Sequence, residues 1–255
     1  MKRVVDVLAP LILIALLLGG WEAACRLLAV PGYFLPAPSA IGAAIAARWP
    51  ELLHAAANTL VMALQGLGVA ALAAAALALP AALSPMVERA VRPIAVGLQV
   101  TPVVALAPLV VIWAGLERPG LAVAALAAVV AFFPIFSGVL TGLKSADPDL
   151  ERLFDLYEAT PFQRLTRLRL PAAVPFVLEG VKVAAGLSVI GAVVAEWVAG
   201  SGTTQGLAWK ILEAGNRLRT ADMFAALALL ATLGFLLNAA VGGLEREALR
   251  RWRGR

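Results

Sequence analysis

The segment GVLTGLKS, from Gly138 to Ser145, has the residue types of a phosphate-binding loop. In such a loop, backbone N–H groups and a lysine after the second glycine hold the phosphates together. Here the spacing before Lys144 is one residue short, and the segment ends an apolar run instead of following a strand. Phosphate chemistry is therefore not expected, and Gly138 and Gly142 fit better as a small-residue pair that packs two helices.

Other reactive groups are scarce. His54 is the one histidine and Cys25 the one cysteine, which excludes an intramolecular disulfide or a thiolate cluster. The sequence offers no Ser, His and Asp set, no metal-ligand spacing and no carboxylate pair on one helix face. It predicts no catalytic residues, no metal site and no cofactor bound by this chain.

The composition is that of a membrane protein. Of the 255 residues, 62% are hydrophobic and only 15% are charged, and the mean hydropathy is +0.89. A helix crosses a bilayer with about 20 mostly apolar residues. We therefore expect an all-α membrane protein, one membrane domain over residues 1–255, with six transmembrane helices near 8–30, 57–83, 93–115, 120–143, 175–199 and 222–244.

The basic residues predict the orientation. With both termini on the cytoplasmic side, most of the 21 Lys and Arg residues are cytoplasmic, the exceptions being Arg26, Arg48, Arg118, Lys210, Arg217 and Arg219. The net charge of +5 then reflects topology and contact with membrane lipid, and no nucleic-acid partner is expected. Glu22 and Arg26, four residues apart, favour a first helix that is retained, and Ser39 is expected to cap a short helix after it.

A charged loop over 144–171 separates the fourth and fifth predicted spans. Asp147 followed by Pro148 is a helix start, and Thr160-Pro161 ends that helix and begins a second one with a capping box to Gln163. Leu170-Pro171 is expected to close the second helix. The loop therefore reads as two short amphipathic helices, with apolar residues at Leu150, Leu153, Phe154, Tyr157, Phe162 and Leu165.

Two roles fit such a loop. It could lie on the lipid surface, as basic amphipathic helices do. Alternatively, it could dock into a groove of another protein through Leu153, Phe154, Tyr157 and Phe162. Periodicity does not separate these two alternatives.

The stretch DLERLFDLYEATPFQRLTRLRLPAAVP, together with the following GVKVAAGLSVIGAVVAEWVAGSGTTQGLAW, resembles the membrane permease subunits of binding-protein-dependent ABC importers. The detail is most similar to the nitrate, sulfonate and taurine branch, including permeases for pyrimidine thiamine precursors or riboflavin. The resemblance implies a bacterial inner-membrane protein whose loop carries coupling helices. The coupling residues would be Glu151, Leu153, Phe154, Tyr157, Glu158, Ala159, Thr160, Phe162 and Arg164.

The resemblance also implies partners. These are cytoplasmic ABC ATPase subunits that bind ATP and Mg, an extracytoplasmic substrate-binding protein, and a second permease copy in a homodimer. Two positions depart from the family pattern: counted back from Leu170-Pro171, its glutamate falls on Arg152 and its glycine on Glu158. A residue other than glycine is expected to turn less sharply there.

Polar and aromatic residues within the spans are candidates for a solute path. We select Gln99, Trp113, Phe133, Ser188 and Glu196. Glu196 has two alternatives to a path role, namely reaching the outer interface or pairing within the fold. Glu179 and Lys182 are expected to form a structural ion pair.

Two other functions remain open from the sequence. A membrane scaffold would recruit a soluble partner through the loop without transport. A self-contained secondary transporter would normally show inverted repeats and paired broken helices, which are not visible in the sequence.

Overall fold

The computed structural model describes residues 2–115, 119–199 and 205–253, and its regular structure in these ranges is helical. The helices are α1 (Lys2–Leu27), α2 (Pro38–Ala47), α3 (Trp49–Leu83), α4 (Pro85–Val100), α5 (Val103–Ala114), α6 (Pro119–Leu143), α7 (Pro148–Leu156), α8 (Pro161–Arg164), α9 (Leu170–Ala199), α10 (Leu207–Asn216) and α11 (Thr220–Arg253). A π-helical turn, Leu165–Arg169, joins α8 to α9.

Five of the described helical segments are long and apolar enough to cross a membrane: Leu8–Leu27, Trp49–Leu83, Gly120–Leu143, Pro161–Val198 and Thr220–Trp252. The pair α4 and α5 makes a sixth if it is counted as one span. The all-helical fold class is confirmed, and so are five to six apolar spans.

The expected span over 93–115 is bent in the structure. The chain bends by 103° between α4 and α5, at Thr101 and Pro102. Pro102 has no N–H for the carbonyl of Leu98, and a proline pushes the preceding residue out of helical geometry, as the ψ of 125° at Thr101 shows. The proline therefore breaks the helix instead of being absorbed within it.

The expected end of the loop's second helix at Leu170-Pro171 is wrong. The N–H of Leu170 donates to the carbonyl of Leu165, five residues back, and the helix continues to the end of α9. The wider π turn changes the hydrogen-bond register just before Pro171, which cannot donate. The segment Pro161–Val198 is consequently one continuous helix of 38 residues.

The chain divides into two compact units, each described by itself. The first contains Met1–Ala57 and Gln205–Ala231, and the second contains Asn58–Thr204 and Thr232–Arg255. In the first unit, the expected ion pair is present, with Arg26 Nη2 2.6 Å from Glu22 Oε1. Ser39 does not cap α2: Ala37 is the N-cap residue, and the Ser39 hydroxyl donates to Glu22 Oε1 at 2.7 Å. The Ser39 hydroxyl therefore bonds to the carboxylate of Glu22, 17 residues earlier, and not to a backbone N–H of α2.

In the second unit, α6 and α9 approach each other so closely that only glycine fits at several contacts. A Cβ at Gly138 would lie 2.6 Å from the carbonyl oxygen of Phe176, and one at Gly180 would lie 2.6 Å from that of Pro134. A Cβ at Gly142 would meet the other helix at 2.9 Å. The prediction that Gly138 and Gly142 pack two helices is confirmed. The charged loop connects α6 to α9, so the close contact between these two helices fixes both ends of the loop.

Candidate functional site: the charged loop and the broken helix

The helix α7 begins where the sequence predicts. The side chain of Asp147 accepts a hydrogen bond from the N–H of Asp149 at 2.8 Å, and Pro148 occupies the first helical position. The helix ends at Leu156, with Tyr157 as C-cap, and so it is shorter than the expected end at Thr160.

The turn that follows depends on one strained residue. Glu158 has a φ of +47°, the left-handed conformation that favours glycine. The resemblance places the family's glycine at this position, where a residue other than glycine was expected to turn less sharply. The backbone keeps the glycine-like conformation, at a cost of roughly 1–2 kcal/mol for a residue with a Cβ.

Replacing Glu158 with glycine is therefore expected to stabilise the loop by about 1 kcal/mol, since the left-handed strain is removed and part of the gain is lost to unfolded-chain entropy. The measurement is the thermal unfolding midpoint of the purified protein in detergent. Glu158→Ala is the control, because it removes the carboxylate and keeps the Cβ. An equal gain from Glu158→Ala would assign the effect to charge and contradict the strain argument.

The second loop helix starts with the predicted capping box. The N–H of Gln163 donates to the Thr160 hydroxyl at 3.3 Å, and the N–H of Thr160 donates to Gln163 Oε1 at 2.9 Å. Both interactions satisfy N–H groups that a helix start leaves without partners. The capping-box prediction is confirmed.

Glu151 ties the two loop helices together. Its Oε1 lies 2.7 Å from Arg169 Nε, and its Oε2 lies 3.2 Å from Arg164 Nη1. Arg164 also pairs with Asp155. We call these four residues the Glu151 clamp. Arg152, where the resemblance places the family's glutamate, is 79% exposed. The adjacent Glu151 is the acidic side chain that contacts the second helix.

The outer face of the loop is apolar. Leu153, Tyr157 and Phe162 are exposed, whereas Phe154 and Ala159 are partly buried. Leu156 is 81% exposed and was missed by the sequence reasoning, although its spacing of three residues from Leu153 indicates the same face. We call the exposed set Leu153, Leu156, Tyr157 and Phe162 the apolar ridge.

The five residues selected for a solute path differ in their surroundings. Trp113 is 77% exposed, Phe133 packs against the core, and Ser188 is buried and donates to the carbonyl of Ala185 at 2.9 Å. Glu196 is 1% exposed and accepts a hydrogen bond from Thr59 at 2.8 Å, which is the pairing alternative. Gln99 lines a pocket.

That pocket lies at the break between α4 and α5. It has a volume of about 320 Å³, and its lining includes Leu98, Gln99, Thr101, Val103, Val130 and Leu187. These residues come from α4, α5, α6 and α9 and the two-residue break, all within the second unit. A pocket of this size falls in the range of small-molecule sites.

A further charged group joins α9 to α11. Lys182 Nζ lies 3.1 Å from Glu179 Oε2, which confirms the predicted pair, and 3.1 Å from Glu245 Oε2, which the sequence did not indicate. Glu245 is remote in sequence, and only the fold brings it near. In the described ranges, no group of three His, Cys, Asp or Glu side chains is placed to bind a metal.

These features define a helical membrane protein that crosses the bilayer several times and has a structured charged loop before its longest span. The family model for the binding-protein-dependent transport system inner membrane component matches residues 66–250, and the chain belongs to this family. It is therefore an ABC transporter permease of the inner membrane, in a family that imports small solutes.

Three of the relatives each cover more than nine tenths of the chain. The formylaminopyrimidine transport permease protein ThiX of Halalkalibacterium halodurans is 33% identical over 251 residues, 98% of each chain. The riboflavin transport system permease protein RibX of Chloroflexus aurantiacus is 34% identical, covering 92% of this chain and 87% of its own. The taurine transport system permease protein TauC of Escherichia coli is 29% identical, covering 94% and 88%.

Proposed function

We propose that this chain forms the membrane path for a small solute that an external binding protein delivers and a separate cytoplasmic ATPase drives. Both termini lie in the cytoplasm, and residues 1–255 act as one permease domain, two copies of which form a homodimer. ATP and Mg are bound by the ATPase subunits. The apolar ridge is the observation that carries this proposal.

The ridge is held in place for docking. Exposed apolar side chains of α7 and its C-cap, with Phe162 of α8, form a surface on a segment of few residues. The Glu151 clamp fixes this surface to the start of the long helix that contains α9. The geometry suits transmission of a movement from a bound partner to a membrane span, a rigid-body coupling.

Charge favours a protein partner over lipid. The helix α7 contains Asp149, Glu151 and Asp155 against the single cation Arg152. Helices that lie on anionic membranes carry Lys and Arg on their polar face, and an acidic helix is repelled by the same lipid. Docking into a protein groove is therefore the better of the two roles left open by periodicity.

The relatives suggest two solute classes. ThiX and RibX are named for uncharged ring compounds, and TauC is named for a sulfonate. The higher identities belong to the first two, so a pyrimidine or riboflavin-like solute is the preferred class. Of the path candidates, we retain Gln99, because it lines the pocket.

The decisive experiment is a pull-down from native membranes in mild detergent, with co-purifying chains identified by mass spectrometry. The variant Leu156→Asp with Phe162→Asp is expected to lose the ATPase subunit, because charged groups replace two hot-spot positions worth about 2 kcal/mol or more each. Leu156→Met is the control and should retain the ATPase.

Other outcomes identify the rival functions. A different soluble chain lost with the same variant, and no ATPase, would indicate a scaffold. Solute uptake that survives deletion of the ATPase gene would indicate a secondary transporter.

A further inference from the structure

We infer that the pocket at the break between α4 and α5 is a water-filled binding site for an uncharged solute with both hydrogen-bond donors and acceptors, such as a heteroaromatic ring compound. The inference rests on the proposed function and assigns the solute class and the site. Three observations support it: the polar backbone at the break, the free carboxamide of Gln99, and the uncharged character of the described residues that line the pocket.

The break leaves backbone groups without helical partners. Pro102 has no N–H, so the carbonyl of Leu98 lacks its donor four residues on. The N–H and hydroxyl of Thr101 both donate to the carbonyl of Gly97, at 3.1 and 2.7 Å. The last carbonyls of α4 and the first N–H groups of α5 therefore need other partners.

A membrane tolerates such groups only in certain places. Irregular backbone occurs at membrane depth where it is buried in protein or lines a water-filled cavity, since hydrocarbon offers no hydrogen bonds. Here the break itself supplies the pocket lining, through Leu98, Gln99, Thr101 and Val103. Water in this pocket satisfies the exposed backbone, and a solute with matching groups replaces that water.

Gln99 adds the adjustable polar group. Its side chain is exposed and, among the residues that the structure describes, its carboxamide has no hydrogen-bond partner. A carboxamide both donates and accepts, so it matches the mixed edge of a neutral heteroaromatic ring. The apolar neighbours Val103, Val130 and Leu187 suit the ring faces.

The lining argues against a charged solute. Every described residue that lines the pocket is uncharged. An ion in an apolar cavity without a counter-charge loses its hydration without compensation. A sulfonate would need a Lys or Arg there, and a neutral ring compound does not.

The test uses single cysteines in a Cys25→Ser background, with the permease and its co-purified ATPase reconstituted in liposomes. The probe is a charged methanethiosulfonate reagent. We expect Val130→Cys to react at least about tenfold faster than Leu72→Cys, a surface position of α3, because hydrocarbon keeps a thiol protonated. Equal, slow reaction at both positions would overturn the hydrated pocket.

The solute class is tested by protection of Val130→Cys. The probes are an uncharged aminopyrimidine, riboflavin and ethanesulfonate. We expect one of the two ring compounds to slow labelling, and Gln99→Leu to raise the protecting concentration about tenfold by removing one hydrogen bond. Gln65→Leu, the same change on α3, is the control and should leave protection unchanged.

Protection by ethanesulfonate alone, or by none of the probes, would overturn the inference. The labelling can be repeated with the permease reconstituted by itself. Absence of the ATPase from the pull-down would then count against the proposed function, whereas slow labelling would count against the pocket.

Discussion

Gly180→Val is expected to lower the amount of folded permease by at least about tenfold, because the close contact between α6 and α9 leaves no room for a side chain. A Cβ there would lie 2.6 Å from the carbonyl oxygen of Pro134, which is backbone and cannot move aside alone. Overpacking costs typically 1–3 kcal/mol, and valine adds two methyl groups beyond the Cβ. The measurement is the yield of monodisperse protein in detergent and its thermal unfolding midpoint.

Gly186→Val is the matched control for this effect. Gly186 lies on the same helix, and a Cβ there would meet nothing within 4 Å. Near-normal yield is expected for this variant. If both variants were lost equally, helix propensity or insertion would be responsible; if Gly180→Val folded normally, the close helix contact would be unnecessary for folding.

Glu151→Lys is expected to uncouple ATP hydrolysis from solute uptake, since it places a third cation beside Arg164 and Arg169. The two ion pairs of Glu151 are only partly exposed, so their loss and the new repulsion cost about 2 kcal/mol, between the values for surface and buried pairs. The apolar ridge would then lose its fixed position. The measurement is the ratio of solute transported to ATP hydrolysed in reconstituted vesicles, together with binding of the ATPase.

Asp149→Lys makes the same change of charge on the same helix. Asp149 is 84% exposed and pairs with the similarly exposed Arg152, an arrangement that contributes little. We expect this variant to transport nearly as well as the wild type. Equal uncoupling in both variants would mean that the net charge of α7, and not the Glu151 clamp, is what matters.

Local features of the loop were predictable from sequence. The Asp147 cap and the Thr160 capping box depend on residues within four positions of each other, so their residue types suffice. The glycine pair Gly138 and Gly142 was found for a similar reason, since small residues four apart share one helix face.

Features that depend on distant residues were not predictable. Ser39 is bound by Glu22 instead of capping α2, and Lys182 bonds to Glu245 as well as to Glu179. Such partners become visible only when the fold is known.

Prolines were the least predictable element. Pro102 was expected within a span and breaks it, whereas Pro171 was expected to end a helix and does not. Both prolines lack the N–H that an α-helix uses. Whether the helix continues through the proline depends on whether the turn before it can adopt the wider π-helical geometry. At Leu165–Arg169 it does.

The unbroken helix from Pro161 to Val198 is long enough to carry a small rotation at one end into a larger displacement at the other. At 1.5 Å per residue its 38 residues extend for about 57 Å, well beyond the roughly 30 Å of hydrocarbon in a bilayer. A tilt of about 5° around its base would displace the far end by about 5 Å without breaking a hydrogen bond. The backbone hydrogen bonds are already irregular at the π turn, so the helix is expected to bend there. A substitution that makes this turn more rigid should therefore reduce the displacement of the far end of the helix.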